Sequence, residues 1–175
     1  MLDFESISVE EVWPEDLNPA GEKFESWWSR NRDRLAHLDR RLVEQWVYRH
    51  WDGTHFKFIP LETLRWSLET WPTERVLSTI RPEWIGPLYP EIDYSETFKN
   101  DILTVRNWKN GTWDYPIVIL ELPFGVSVRA GEFPNLRFML VEGHLRFRYL
   151  NALSHHRVET GPHELFVLRS PITSE

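Results

Sequence analysis

Leu140-Val141-Glu142-Gly143-His144-Leu145-Arg146 reads as the end of a strand, a glycine and the first turn of a helix. Upstream, Arg137 to Glu142 is a mostly apolar run of strand length. Downstream, Leu145, Tyr149, Ala152 and Leu153 share one face of a helix expected over 144–156. A glycine at such a junction permits a positive φ and close approach of the backbone to another group. The first N–H groups of the helix have no acceptor within it and carry the positive end of its dipole. An anion seated there gains backbone hydrogen bonds. Arg146 adds a two-donor fork, and His144 a third donor when protonated. Glu142, Asp114 and Glu121 are the acids suited to act as general base or metal ligand if they face this candidate site, and Glu142 stands at its edge. The plainer alternative is an ordinary turn, with Gly143 making the bend and Arg146 in solvent.

Outward from this junction, Pro116 to Leu122 reads as a buried strand with proline at its first position. It is expected to lie beside the strand ending at Glu142. The two are joined through Pro123-Phe124-Gly125 and Gly131-Glu132-Phe133-Pro134. Gly161-Pro162 turns the chain into a last strand, Glu164 to Leu168. Residues 81–115 are rich in Pro, Gly, Asp and Asn. They read as a long excursion with little regular structure, pinned by Trp84, Tyr89, Tyr94, Phe98, Trp108 and Trp113. Pro72-Thr73-Glu74 opens a short helix carrying Val76, Leu77 and Ile80. Alternation predicts strands at 55–59 and 64–68. Leu35, Leu38, Leu42 and Trp46, widened by Val43 and Val47, predict one helix over 22–50, with most of its arginines on the solvated face. The fold class is therefore α+β, a small mixed sheet with helices, preceded by a helical N-terminal cap. The chain divides into an acidic leader (1–22), the helical cap (23–54) and an α+β domain (55–175).

The length of 175 residues suits one compact domain, and 41% hydrophobic with 27% charged residues is a globular composition. No cysteine is present, which excludes a disulfide framework, thiol catalysis and thiolate metal sites. The first residues lack the basic and apolar regions of a secretory signal, and no stretch approaches the ~20 apolar residues of a membrane span. A cytoplasmic protein without membrane contact is expected. The net charge of −7 resides in residues 1–26, with eight acids and one base; the remainder is neutral. A body without a basic field predicts no tight non-specific binding of nucleic acid. The leader is either a disordered tail or docked through Phe4, Val12 and Trp13.

Four histidines, His144, His155, His156 and His163, crowd the C-terminal part. A zinc site needs three or four ligands converging at ~2.0–2.2 Å. Neighbouring side chains on a helix diverge by ~100°, so His155 and His156 do not share an ion, and no metal site is assigned. The stretch Trp46 to Phe56 is dense in aromatics. It suits base stacking, a protein-interaction hot spot or simple core filling, and Trp51, just before the turn at Asp52-Gly53, is the expected exception to core filling.

The succession of strand, hairpin, strand and Gly143-His144-Leu145-Arg146 opening a helix resembles the core of the ParB/sulfiredoxin superfamily. That superfamily carries a G-x-x-R box at this junction. Phe58-Ile59-Pro60-Leu61, the helix at 73–80 and the strand Pro116–Leu122 are similar in order to its preceding elements, so the resemblance covers roughly residues 55–169. It implies that Gly143 and Arg146, with His144 and Glu142 beside them, hold the phosphates of a nucleotide, a nucleoside triphosphate with Mg²⁺ being the cofactor of that type. His144 stands where sulfiredoxins keep a reactive cysteine, so sulfinic-acid reduction in that form is excluded. Leu145 replaces a polar or charged residue. The function implied is a nucleotide- or phosphate-binding domain, of the kind a nucleotide hydrolase or nuclease uses. The alternative is a non-catalytic interaction protein with a protein partner, such as an antitoxin, immunity or defence-system component.

Overall fold

Five strands form the central sheet because three of them are apolar on both faces and need cover on both sides. The computed structural model describes residues 1–81, 88–99, 108–109 and 111–171. In chain order the elements are β1 (Leu2–Asp3), α1 (Phe4–Ile7), α2 (Phe24–Leu35) and α3 (Arg40–Leu42), which runs on as a π-helical stretch (Val43–Tyr48). Then come β2 (Arg65–Trp71), α4 (Thr73–Thr79), β3 (Ile80–Arg81), α5 (Pro90–Lys99), β4 (Trp108–Lys109) and β5 (Thr112–Trp113). The last elements are β6 (Ile117–Glu121), β7 (Val126–Val128), β8 (Gly131–Phe133), β9 (Phe138–Glu142), α6 (His144–His155) and β10 (His163–Arg169). The sheet order is β2-β10-β6-β9-β3. β10 runs antiparallel to β2 and parallel to β6, β6 antiparallel to β9, and β9 parallel to β3. A smaller sheet, β1-β7-β8, lies apart from it. The molecule is of the α+β class.

Side-chain alternation divides the core in two. Val118, Leu120, Met139, Val141, Phe166 and Leu168 face a cluster built by the leader and the cap, including Phe4, Trp13, Leu17, Trp27, Trp46 and Phe58. Ile117, Ile119, Leu140, Leu165 and Val167 face Trp71, Val76, Trp113, Phe147 and Leu150 on the other side. The leader is docked, with Phe4, Trp13 and Leu17 at most 5% exposed, although Val12 is 47% exposed.

Several expectations are corrected. The helix over 22–50 is two pieces. Its apolar stripe is buried throughout, but the chain turns after Leu35, and the Asp39 carboxylate caps the second piece by accepting from Arg41 N–H at 2.7 Å. Residues 55–59 form turns, not a strand; Phe56, Phe58 and Ile59 are buried without a ladder partner, and Ile59 N–H donates to the Phe56 carbonyl. The second strand begins at Arg65 and extends to Trp71. Within 81–115 the described part is more regular than expected: α5 and the β4–β5 pair occupy it. Trp84 and the side chains of Phe98 and Trp108 lie outside the described residues. Trp51 is 3% exposed, packed on Trp13 with ring centroids 5.4 Å apart, so it belongs to the core.

Candidate functional site

Gly143 has φ +104°, and a Cβ there would meet Ile117 Cγ2 at 2.5 Å, so only glycine passes β9 into α6 this close to β6. No side chain caps α6, and its first intrahelical bond is Phe147 N–H to the Gly143 carbonyl. The N–H groups of His144, Leu145 and Arg146 precede that bond.

The cap meets this junction from the opposite side. Trp46 and Val47 are fully buried, which turns Gln45, Arg49 and His50 towards the strand ends. Between cap and junction lies a cleft of about 590 Å³, lined by these three residues, Thr54, His55, Phe56, Tyr115 and the segment Val141 to Arg146. Two other clefts are similar in volume, at about 590 and 580 Å³. Size therefore does not single this one out; the imidazoles and carboxylate do. All four residues expected from the sequence, Glu142, Gly143, His144 and Arg146, line it together.

Arg146 is placed differently from the solvent-facing fork expected of a first-turn arginine. Its side chain is 12% exposed. It donates to the Tyr115 carbonyl at 3.0 Å, to Gln45 Oε1 at 3.1 Å and to Glu142 Oε1 at 3.3 Å. Gln45 in turn donates from Nε2 to the Pro116 carbonyl at 2.9 Å. The guanidinium thus clamps cap, strand entrance and junction together.

The Glu142 carboxylate sits between the Arg146 guanidinium and the His50 imidazole, with its other oxygen, Oε2, 3.4 Å from His50 Nε2. Burial pushes the Glu142 carboxyl up, but contact with His50 and the charge of Arg146 outweigh it, holding the group below the usual carboxylate range. His50 is raised by its bond to Glu142, against burial and the charges of Arg146 and Arg49. His144 moves the other way, lowered by burial, with His50 and Arg146 adding to the effect and Glu142 opposing it. Its Nε2 is buried with no hydrogen-bond partner. One cleft therefore holds one imidazole biased towards the cation and one biased towards the neutral base.

His50, Arg49, Gln45 and Tyr115 were not assigned to the site from sequence. His50 and Arg49 belong to the aromatic-rich stretch, but nothing in their spacing points to a junction ninety residues on. Glu121 and Asp114, also considered as acids, do not line the cleft; Glu121 pairs with Arg169 at 2.7 Å. His155 and His156 lie at the far end of α6, each 3.2 Å from Glu91. His163 is buried between Thr73 and Thr112. Among the described residues, no three His, Asp or Glu side chains converge to hold a metal ion, and no helix is long and apolar enough to cross a membrane. Compared with protein-family models, curated proteins and solved structures, the chain matches none.

Proposed function

We propose that this protein binds the phosphate of a nucleotide in the cleft between cap and β9–α6 junction. The observation that carries the reading is convergence. An uncapped helix start, a cation-biased His50 and the half-exposed guanidinium of Arg49 all line one concave site. Arg49 is partly neutralised by Glu44 at 2.9 Å, so the attraction falls to the backbone donors and His50 as much as to the arginine. Tyr115 and the edge of Phe56 offer apolar wall for a base. The ParB/sulfiredoxin-like resemblance points the same way, with one change of role. Gly143 keeps the close approach, whereas Arg146 positions Glu142 rather than gripping the anion itself.

Leu145 provides the test. It lines the cleft beside the helix start and is 56% exposed. Leu145→Glu places a carboxylate where the phosphate would sit, at a helix position that favours acids, so folding is unharmed. Calorimetric titration with nucleoside mono- and triphosphates, with and without Mg²⁺, is expected to show binding by wild type, weakened tenfold or more in Leu145→Glu (about 1.4 kcal/mol or more). Leu145→Lys is expected to tighten it. Absence of binding by wild type to every nucleotide would favour the interaction-protein reading.

A further inference from the structure

We propose that the cleft cleaves ribonucleotide phosphodiesters by proton transfer between two histidines, with His144 as base and His50 as acid. The inference rests on the phosphate-binding reading above and adds a reaction to it. Its ground is the content of the cleft. Both imidazoles line it, and a half-buried carboxylate holds one of them by a single nitrogen, His50 Nε2 at 3.4 Å from Glu142 Oε2. The Nε2–H of His50 is thereby engaged, leaving Nδ1–H to face a leaving group. Nε2 of His144 is buried without a partner, which assigns the role of base to Nδ1.

Among the described residues, no serine or cysteine lines this cleft. The hydroxyl of Thr54 already accepts from Trp46 Nε1 at 3.1 Å and from Phe56 N–H at 3.3 Å. The chain supplies an acid and a base, and the substrate can supply the attacking oxygen. A ribose 2′-hydroxyl beside the phosphodiester does so. Its proton passes to His144 Nδ1 as the 2′-oxygen forms its bond to phosphorus. The bond from phosphorus to the 5′-oxygen breaks, and that oxygen takes the proton from His50 Nδ1. The products are a 2′,3′-cyclic phosphate and a free 5′-hydroxyl, and the two histidines re-equilibrate with solvent. The helix-start N–H groups and Arg49 face the charge that grows on the phosphoryl oxygens.

The groups around the two imidazoles set the pH dependence. Glu142, Arg146 and Arg49 act on His50, and Glu142, His50 and Arg146 act on His144. His144 must be neutral and His50 charged. The acid limb of the rate profile should therefore lie below the ordinary histidine value and the alkaline limb above it, leaving a plateau between them.

The experiment uses the full chain, a uridylyl-adenosine dinucleotide and its 2′-deoxy analogue, in EDTA, from about pH 5 to about pH 8. Expected are cyclic-phosphate product from the ribose substrate alone and a loss of about a hundredfold or more in His50→Gln and in His144→Gln. Binding of the deoxy analogue, followed by calorimetry, should weaken in His50→Gln, which loses a phosphate contact, but by far less than the rate falls. Glu142→Gln should shift the alkaline limb to lower pH, a readout that a merely structural role would not move. Near-UV circular dichroism checks that each variant is folded. Binding of the analogue without cleavage of the ribose substrate overturns the reaction and leaves the phosphate site standing; absence of binding overturns both. Equal rates in wild type and both histidine variants, or equal cleavage of the deoxy substrate, also overturn it.

Discussion

Arg146 reaches acceptors from three parts of the chain, and that decides what its loss does. Two of its partners, Gln45 and Tyr115, stand 101 and 31 residues away in sequence. Removing the side chain leaves a largely buried Glu142 carboxylate with His50 alone, and strands Gln45 Oε1 and the Tyr115 carbonyl. Arg146→Ala should therefore cost about 2–4 kcal/mol of stability by urea denaturation, because uncompensated buried polar groups are expensive. Arg146→Lys should recover only part, since one ammonium cannot reproduce a planar fork to three acceptors. An unchanged denaturation midpoint in Arg146→Ala would return this arginine to the role of a free, solvent-facing fork. The strand–glycine–helix junction was legible, because glycine followed by a helix-opening pattern is a local signal. The fork's partners were not, because they come from the cap and from the strand entrance, and no local pattern pairs them.

At the scale of elements, legibility followed burial on two faces. β6, β9 and β10 were readable as strands because both faces meet apolar layers, which leaves unbroken apolar runs. Residues 55–59 mimic a strand because alternate side chains are buried by the leader and cap while the backbone turns. The break after Leu35 was hidden because the apolar stripe continues across it. His163, at the start of β10, yields a prediction at this scale. It ties α4 to β5, with Nε2 2.9 Å from Thr73 Oγ1 and Nδ1 2.8 Å from Thr112 Oγ1, and it stacks on Trp113. Burial pushes its pKa down to about 4. The unfolded chain, with an ordinary histidine near ~6.5, binds a proton over that window and the native state does not. Stability should then fall as pH drops from the unfolded value towards the folded one, by about 3 kcal/mol from this residue. His144 is depressed too and adds in the same direction; His50 is raised and opposes it. Urea midpoints measured across the window for wild type and His163→Gln should show a flatter profile in the variant. Parallel profiles would mean that His163 does not carry the acid sensitivity.

For the whole molecule, the acidic leader is a structural part and a charge partner at once. Composition located the charge but could not tell a tail from a docked segment. Three apolar anchors decide it, because Phe4, Trp13 and Leu17 fill the same cluster as the cap and one face of the sheet. Trp13 Nε1 donates to the Ile59 carbonyl at 2.8 Å, and the Leu17 carbonyl accepts from Trp27 Nε1 at 2.6 Å. The leader's acids also pair with cap arginines, Asp16 with Arg34 at 2.6 Å and Glu22 with Arg30 at 2.9 Å. These ion pairs are exposed and add little to stability, but they leave fewer free cations on the cap to attract phosphates. Burying three such side chains is worth roughly 4.5–9 kcal/mol at about 1.5–3 each, comparable to the about 5–15 kcal/mol net stability of a domain. Deleting residues 1–22 should therefore abolish the cooperative urea transition or leave a protein that aggregates, with loss of near-ultraviolet signal from Trp27, Trp46 and Trp51. The intact chain should form no sub-micromolar complex with random duplex DNA in a gel shift at physiological salt. A truncated chain that stays folded, with an unchanged midpoint, and gains DNA affinity would show the leader to be a removable electrostatic mask rather than part of the core.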